Sequence, residues 1–193
     1  MKQRKEQHEM VRKIVLIGLF TALTVVFGMI KIPIMGLTIK MDLPVIVLGA
    51  VILGPLAGAW LTVIPTLITY FTGEAALFMQ FSPFGTLLTL FLKGILAGLL
   101  AGLVYKALCK KHPIGAVTCA AVVAPVVNTG VYIIGCRIFI WDQLANYMVQ
   151  MESTIVMFLV GILLNFVLEL TMNIILCPTT FRMLQSATKG KRS

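Results

Sequence analysis

The stretch from Phe84 to Tyr105, FGTLLTLFLKGILAGLLAGLVY, constrains this chain more than any other. It has about the length needed to cross the hydrocarbon core of a bilayer, roughly 20 apolar residues at ~1.5 Å rise each. Lys93 sits near its middle, where an ammonium is costly unless it faces protein or water, so it marks a candidate functional position. Gly94, Gly98 and Gly102 follow at four-residue spacing, with Ala97 and Ala101 beside them. On a helix these small residues make a groove in which a second helix can pack at close range. A charge at mid-membrane beside such a groove predicts a compact helical bundle around a polar pocket.

The remaining composition agrees. Of 193 residues, 59% are hydrophobic and 12% charged, which excludes an ordinary water-soluble domain. The net charge of +9 does not indicate nucleic acid, because the basic residues cluster at membrane-flanking positions. Cys109, Cys119, Cys136 and Cys177 have no pairing or metal spacing and read as apolar thiols.

The apolar runs predict an all-α integral membrane protein, a compact bundle of six transmembrane helices with both termini cytoplasmic. A basic N-terminal segment, 1–12, precedes a six-helix membrane domain at 13–178, and a basic tail occupies 179–193. The first span runs from Ile14 to about Ile30; it is long for a signal peptide and lacks a small-residue cleavage site. Gly18 and Ala22 form a small-residue face on it, suited either to packing inside the bundle or to docking a partner. The second span covers Val45 to Leu53, and a Gly54-Pro55 break turns the chain into the third, Leu56 to Phe71. The fourth is the Phe84–Tyr105 stretch, the fifth runs from about Ile114 to Ile140, and the sixth covers roughly Thr154 to Leu176, ended by Pro178. With the N-terminus inside, twelve of the sixteen Lys and Arg residues lie on the cytoplasmic side, which sets the orientation. The external surface is then three loops, near 31–43, 73–82 and 141–152.

Depth reckoned along these spans brings Lys93, Asn128 and Asn165 to one level. Glu169 and Asn173 follow Asn165 at i+4 and i+8 on a similar helix face, and Tyr132 lies one turn from Asn128. Singly, each asparagine reads equally as interhelical glue, and Glu169 as a structural counter-ion for Lys93. Together they favour a small-molecule site, with Glu74, Gln80, Arg137 and Trp141 towards the exterior. Trp141 also reads as an interfacial anchor. His8 and His112 both lie in polar segments, and no catalytic constellation, phosphate loop or metal cluster is evident. No catalytic residue, cofactor or metal is therefore assigned, and binding is favoured over chemistry.

Three motifs carry a family resemblance. LIGLFTALTVV holds the small-residue face at Gly18 and Ala22, VILGPLAGAWLTVI a Gly-Pro-x-x-Gly turn at Gly54, Pro55 and Gly58, and KGILAGLLAGLVYK a glycine-rich fourth helix. With the span count and topology, over about residues 10–185, the chain resembles the substrate-binding S components of energy-coupling factor transporters, the vitamin-uptake systems of bacteria and archaea. The one departure, Gly18 where alanine is more usual, keeps the face small. The resemblance implies a subunit that captures a vitamin or related micronutrient from outside and is not an enzyme. It also implies docking, through Gly18 and Ala22, on a membrane-embedded coupling subunit served by two ATPase subunits, with the first external loop, about 31–43, as a lid.

The substrate itself has no matching signature. Lys93 and Arg137 suit a carboxylate or other anion, and Asn128 and Asn165 suit amides, hydroxyls or ring edges. Tyr132, Trp141, Phe78 and Phe84 offer stacking surface. A carboxylated, pantothenate-like vitamin follows, unless Glu169 neutralises Lys93. Two alternatives stand beside this reading: a membrane enzyme using Lys93 and Glu169 as an acid/base pair, and an assembly factor that only binds partner helices.

Overall fold

A computed structural model of the protein describes residues 2–34, 37–150 and 155–189. Among the described residues four helices are long and apolar enough to cross a membrane, spanning Glu6–Gly28, Pro83–Leu108, Pro113–Phe139 and Phe158–Met183, with two shorter apolar stretches at Asp42–Leu53 and Pro55–Phe71. Met35 and Gly36 in the expected lid, the end of the 141–152 loop, the expected start of the sixth span at Thr154, and Lys191 and Arg192 of the tail lie outside the described residues.

Helix α1 (Lys2–Gly28) already includes the basic N-terminal segment. The 31–43 connection is not simply irregular: β1 (Lys31–Ile34) and β2 (Leu37–Lys40) pair antiparallel, Lys31 opposite Lys40. β-branched Ile32, Ile34, Thr38 and Ile39 suit such a ribbon. Helix α2 (Asp42–Leu53) then opens on a carboxylate, favourable against a helix N-terminal dipole, and Pro44 falls in its first turn, where a missing N–H costs nothing.

Gly54 ends α2 at φ +107°, a conformation glycine adopts without penalty, and Pro55 starts α3 (Pro55–Leu61) at once. The expected third span is divided here. α4 (Val63–Phe71) resumes after Thr62, because the Pro65 ring conflicts with the carbonyl four residues back, that of Leu61. At the break both the N–H and the Oγ1 of Thr62 donate to the Ala59 carbonyl, at 3.3 and 2.7 Å. The 73–82 connection carries a short helix, α5 (Ala76–Phe81).

Ser82 caps α6 (Pro83–Leu108), its Oγ accepting the Gly85 N–H at 3.2 Å, and Pro83 occupies the first turn. α7 (Pro113–Phe139) also starts on a proline, without a side-chain cap from His112, and carries Pro125 within it. α8 (Trp141–Gln150) follows. The last helix corrects the expected end at Pro178, because α9 (Ile155–Lys189) continues through that proline. Tertiary packing holds the turn beyond it: Phe181 is buried in the core and meets the Tyr105 ring edge-on, centroids 5.9 Å apart.

The glycine groove of α6 packs against α3. A methyl group added at Gly58 would lie 2.6 Å from the Gly98 carbonyl oxygen, and one at Gly102 the same distance from the Pro55 Cα. The two backbones therefore meet directly, which only glycine at the crossing permits. One apolar core joins α2, α6, α7 and α9 through Val47, Val51, Ala101, Val117, Ala121 and Cys177. A second gathers Cys136, Ile140, Leu144, Phe158 and Ile162, with Phe78 and Tyr132 against it. Outward faces stay apolar: Leu19 and Val26 on α1, Ile134 and Ile138 on α7, and Leu163 and Val167 on α9 are exposed. That much exposed apolar surface belongs in lipid, and the protein is a multi-pass membrane protein.

Candidate functional site

A partly open cavity of about 190 Å³ lies between the two cores, lined by residues of α2, α4, α6, α7 and α9 and by Glu74, Ala75 and Phe78. Its walls follow from the local breaks. The α3–α4 interruption and the α4–α5 turn bring threonines and Glu74 inward, while α6, α7 and α9 contribute their mid-helix polar residues.

Lys93, Asn128, Tyr132, Asn165, Glu169 and Glu74 all line this cavity. Gln80 is exposed on α5 and is not among the lining residues. Arg137 and Trp141 also lie off the lining and hold each other, the guanidinium 5.5 Å from the indole centroid, as a cation–π pair. Phe78 lines the cavity and meets the Tyr132 ring edge-on at 5.8 Å, whereas Phe84 faces outward. Asn173 is fully buried but turns back on its own helix, Nδ2 donating to the Glu169 carbonyl at 2.8 Å. Gly18 and Ala22 are exposed on α1, and a methyl added at Gly18 would meet nothing within 4 Å.

The Glu169 carboxylate is held on both oxygens. Asn128 Nδ2 donates to Oε2 and Asn165 Nδ2 to Oε1, each at 3.2 Å. A carboxylate accepts only, so this bond fixes the Asn165 amide, leaving its Oδ1 as a buried acceptor without a partner among the described residues. Thr86 Oγ1 is likewise buried and unbonded among the described residues, and the Tyr132 hydroxyl has the weakly bonding Cys136 thiol beside it. Buried polar atoms are normally satisfied, so orphans around a cavity indicate hydrogen-bonding capacity reserved for what enters it.

Lys93 Nζ lies 5.3 Å from the Tyr132 ring centroid. Among the described residues no ion pair joins it to Glu169, although both line the cavity. Lys40, at the end of the hairpin, is spoken for: it pairs with Glu74 Oε2 at 2.5 Å and donates to Thr69 Oγ1. The hairpin is thereby fastened to the α4–α5 turn at the cavity.

Sequence reasoning missed several lining residues as site members: Lys40, Asp42, Thr62, Thr66, Thr69, Thr86, Thr89 and Thr129. A signal existed in part. Thr62, Thr66 and Thr69 recur at i, i+4 and i+7, which places them on one helical face. It is weak because threonine in an apolar helix can satisfy itself, as Thr69 and Thr89 do on the carbonyls of Pro65 and Gly85.

The family profile described as "ECF transporter, substrate-specific component" matches residues 12–180. No curated protein and no solved structure matches the chain.

Proposed function

The chain belongs to the family of ECF transporter substrate-specific components, and from that premise we propose that it captures a vitamin or related micronutrient in the cavity around Lys93. As a member of that family it is a binding subunit of a transporter and not an enzyme. The acid/base reading of Lys93 and Glu169 falls with that. The observation that carries the proposal is the convergence on one cavity of a lysine that forms no ion pair among the described residues, a doubly held carboxylate, and the buried atoms Asn165 Oδ1 and Thr86 Oγ1, which have no hydrogen-bond partner there. A purely structural polar layer would have satisfied its own groups.

In this reading the protein sits in the cell membrane as six spans, the two short apolar stretches at Asp42–Leu53 and Pro55–Phe71 serving as the second and third. Both termini are cytoplasmic, following the distribution of Lys and Arg. The substrate enters from the extracellular side under the 31–40 hairpin. Gly18 and Ala22 dock on a membrane-embedded coupling subunit, and two separate ATPase subunits supply energy. Open space at Gly18 supports that surface, since a partner helix can approach closely there.

The experiment is a vitamin panel titrated onto the detergent-purified protein, wild type against Lys93→Ala and Asn128→Ala. We expect one compound to bind tightly and both variants to lose at least tenfold in affinity while remaining folded. Full affinity in both would remove this cavity as the site. No binding across the panel would remove the substrate-capture reading and favour an assembly role.

A further inference from the structure

The cavity's charges are not equivalent, and sorting them narrows the substrate. Five charged side chains line it: Lys40, Asp42, Glu74, Lys93 and Glu169. Lys40 and Glu74 cancel in their ion pair. Asp42 stands at the N-terminal end of α2, where the helix dipole favours a carboxylate. Two charges of opposite sign remain addressed to the cavity, Lys93 and Glu169, with no ion pair between them among the described residues.

They sit in different chemical surroundings. Lys93 is set over Tyr132, whose hydroxyl has the weakly bonding Cys136 thiol beside it. That end can donate from an ammonium and a phenol, which suits an anionic group. Glu169 is bonded to Asn128, one turn from Tyr132 along α7, and beside it Asn165 Oδ1 lies buried without a donor. Each carboxylate oxygen has spent one acceptor site on an asparagine and keeps further capacity. That end accepts, and it suits a protonated amine or a nitrogen bearing hydrogens. Tyr132 and Asn128, which attend the two ends, are four residues apart, so their backbone positions along α7 differ by about one helical turn, ~6 Å.

Volume sets the scale. At about 190 Å³ the cavity is only modestly larger than one of ~150 Å³ that holds benzene, and smaller than the ~300 Å³ at which drug-sized pockets begin. We propose that the substrate is a small amphoteric molecule, of single-ring or short-chain size, with an acidic group bound at Lys93–Tyr132 and an N–H-bearing or cationic nitrogen at Glu169–Asn165. This rests on the cavity being the substrate site, and it replaces a simple carboxylated vitamin by one carrying both functions. A plain anion would leave Asn165 Oδ1 without a donor and would use none of the remaining acceptor capacity of Glu169, at the cost of burying an unpaired acceptor.

Three matched probes test the class on the full-length protein in detergent by calorimetric titration: 4-(aminomethyl)benzoate, 4-methylbenzoate and benzylamine. The zwitterion is expected to bind at least tenfold tighter than either singly charged analogue. Glu169→Gln, which keeps the shape of the side chain, is expected to reverse the order of zwitterion and 4-methylbenzoate. Lys93→Met should do the same for zwitterion and benzylamine, so the test survives if one variant does not fold. A wild-type preference for 4-methylbenzoate or benzylamine, or no binding of any probe, overturns the amphoteric class. In those cases a compound from the vitamin panel that binds and is lost in Lys93→Ala still upholds the substrate site. Its absence removes both.

Discussion

Replacing Gly58 by alanine tests the packing on which the site depends. The added methyl would lie 2.5 Å from the Ala50 Cβ on α2 and 2.6 Å from the Gly98 carbonyl oxygen on α6. Comfortable non-bonded separations are about 3.5 Å or more, so α3 would have to part from α6 by roughly 0.9 Å. A gap of that size forfeits about a quarter to a half of each dispersion contact along the seam. Overpacking of this kind costs about 1–3 kcal/mol, and the Gly98 side of the contact is backbone, which cannot rotate away. Against this, alanine gains about 0.5–1 kcal/mol over glycine in a helix. The net expectation is a loss of about 1–2 kcal/mol. Gly130→Ala is the control: it lies in α7 with nothing within 4 Å of an added methyl, so only the helix gain of about 0.5–1 kcal/mol applies. Reversible unfolding in mixed micelles should therefore separate the two variants by about 2 kcal/mol. If they agree within about 0.5 kcal/mol, direct backbone contact between α3 and α6 is not what holds this seam.

Other perturbations probe other parts of the bundle. Lys40→Met removes the pair with Glu74 and the bond to Thr69, releasing the hairpin from α4–α5. Charge-assisted bonds of this kind contribute about 1.5–3 kcal/mol, so hydrogen exchange over residues 31–40 should accelerate at least tenfold; unchanged protection would mean that the hairpin is held elsewhere. Tyr132→Phe deletes a buried hydroxyl that has only the weakly bonding Cys136 thiol beside it among the described residues, so stability should change by no more than about 1 kcal/mol while substrate affinity falls. A clear loss of stability would show that the hydroxyl is already bonded in the folded protein. Gly18→Leu with Ala22→Leu should abolish uptake in cells and leave substrate binding by the isolated protein intact; normal uptake would remove the docking face.

How much of this was legible without coordinates differs from residue to residue. The membrane class and the long helices follow from hydropathy alone, because a bilayer leaves few ways to satisfy an apolar backbone. The grouping of Lys93, Asn128, Asn165 and Glu169 was also legible, since span direction and a ~1.5 Å rise convert residue number into depth. The glycine spacing after Lys93 announced a close helix crossing. Its partner, the Gly54-Pro55-x-x-Gly58 turn, was visible only as a separate motif, and joining the two required the fold.

Tertiary structure alone decided the rest. It carried α9 past Pro178, because Phe181 and Tyr105 pack there and local propensity is a weak force beside burial. It placed Arg137 and Trp141 against each other off the cavity, since residue number gives depth but not azimuth around the bundle axis. It also brought Lys40 to Glu74 across 34 positions of chain, and so left Lys93 as a cavity-lining cation that forms no ion pair among the described residues. Depth is a one-dimensional property that a sequence can encode directly; the pairing of charges depends on which helix faces meet, and only the packed bundle determines that.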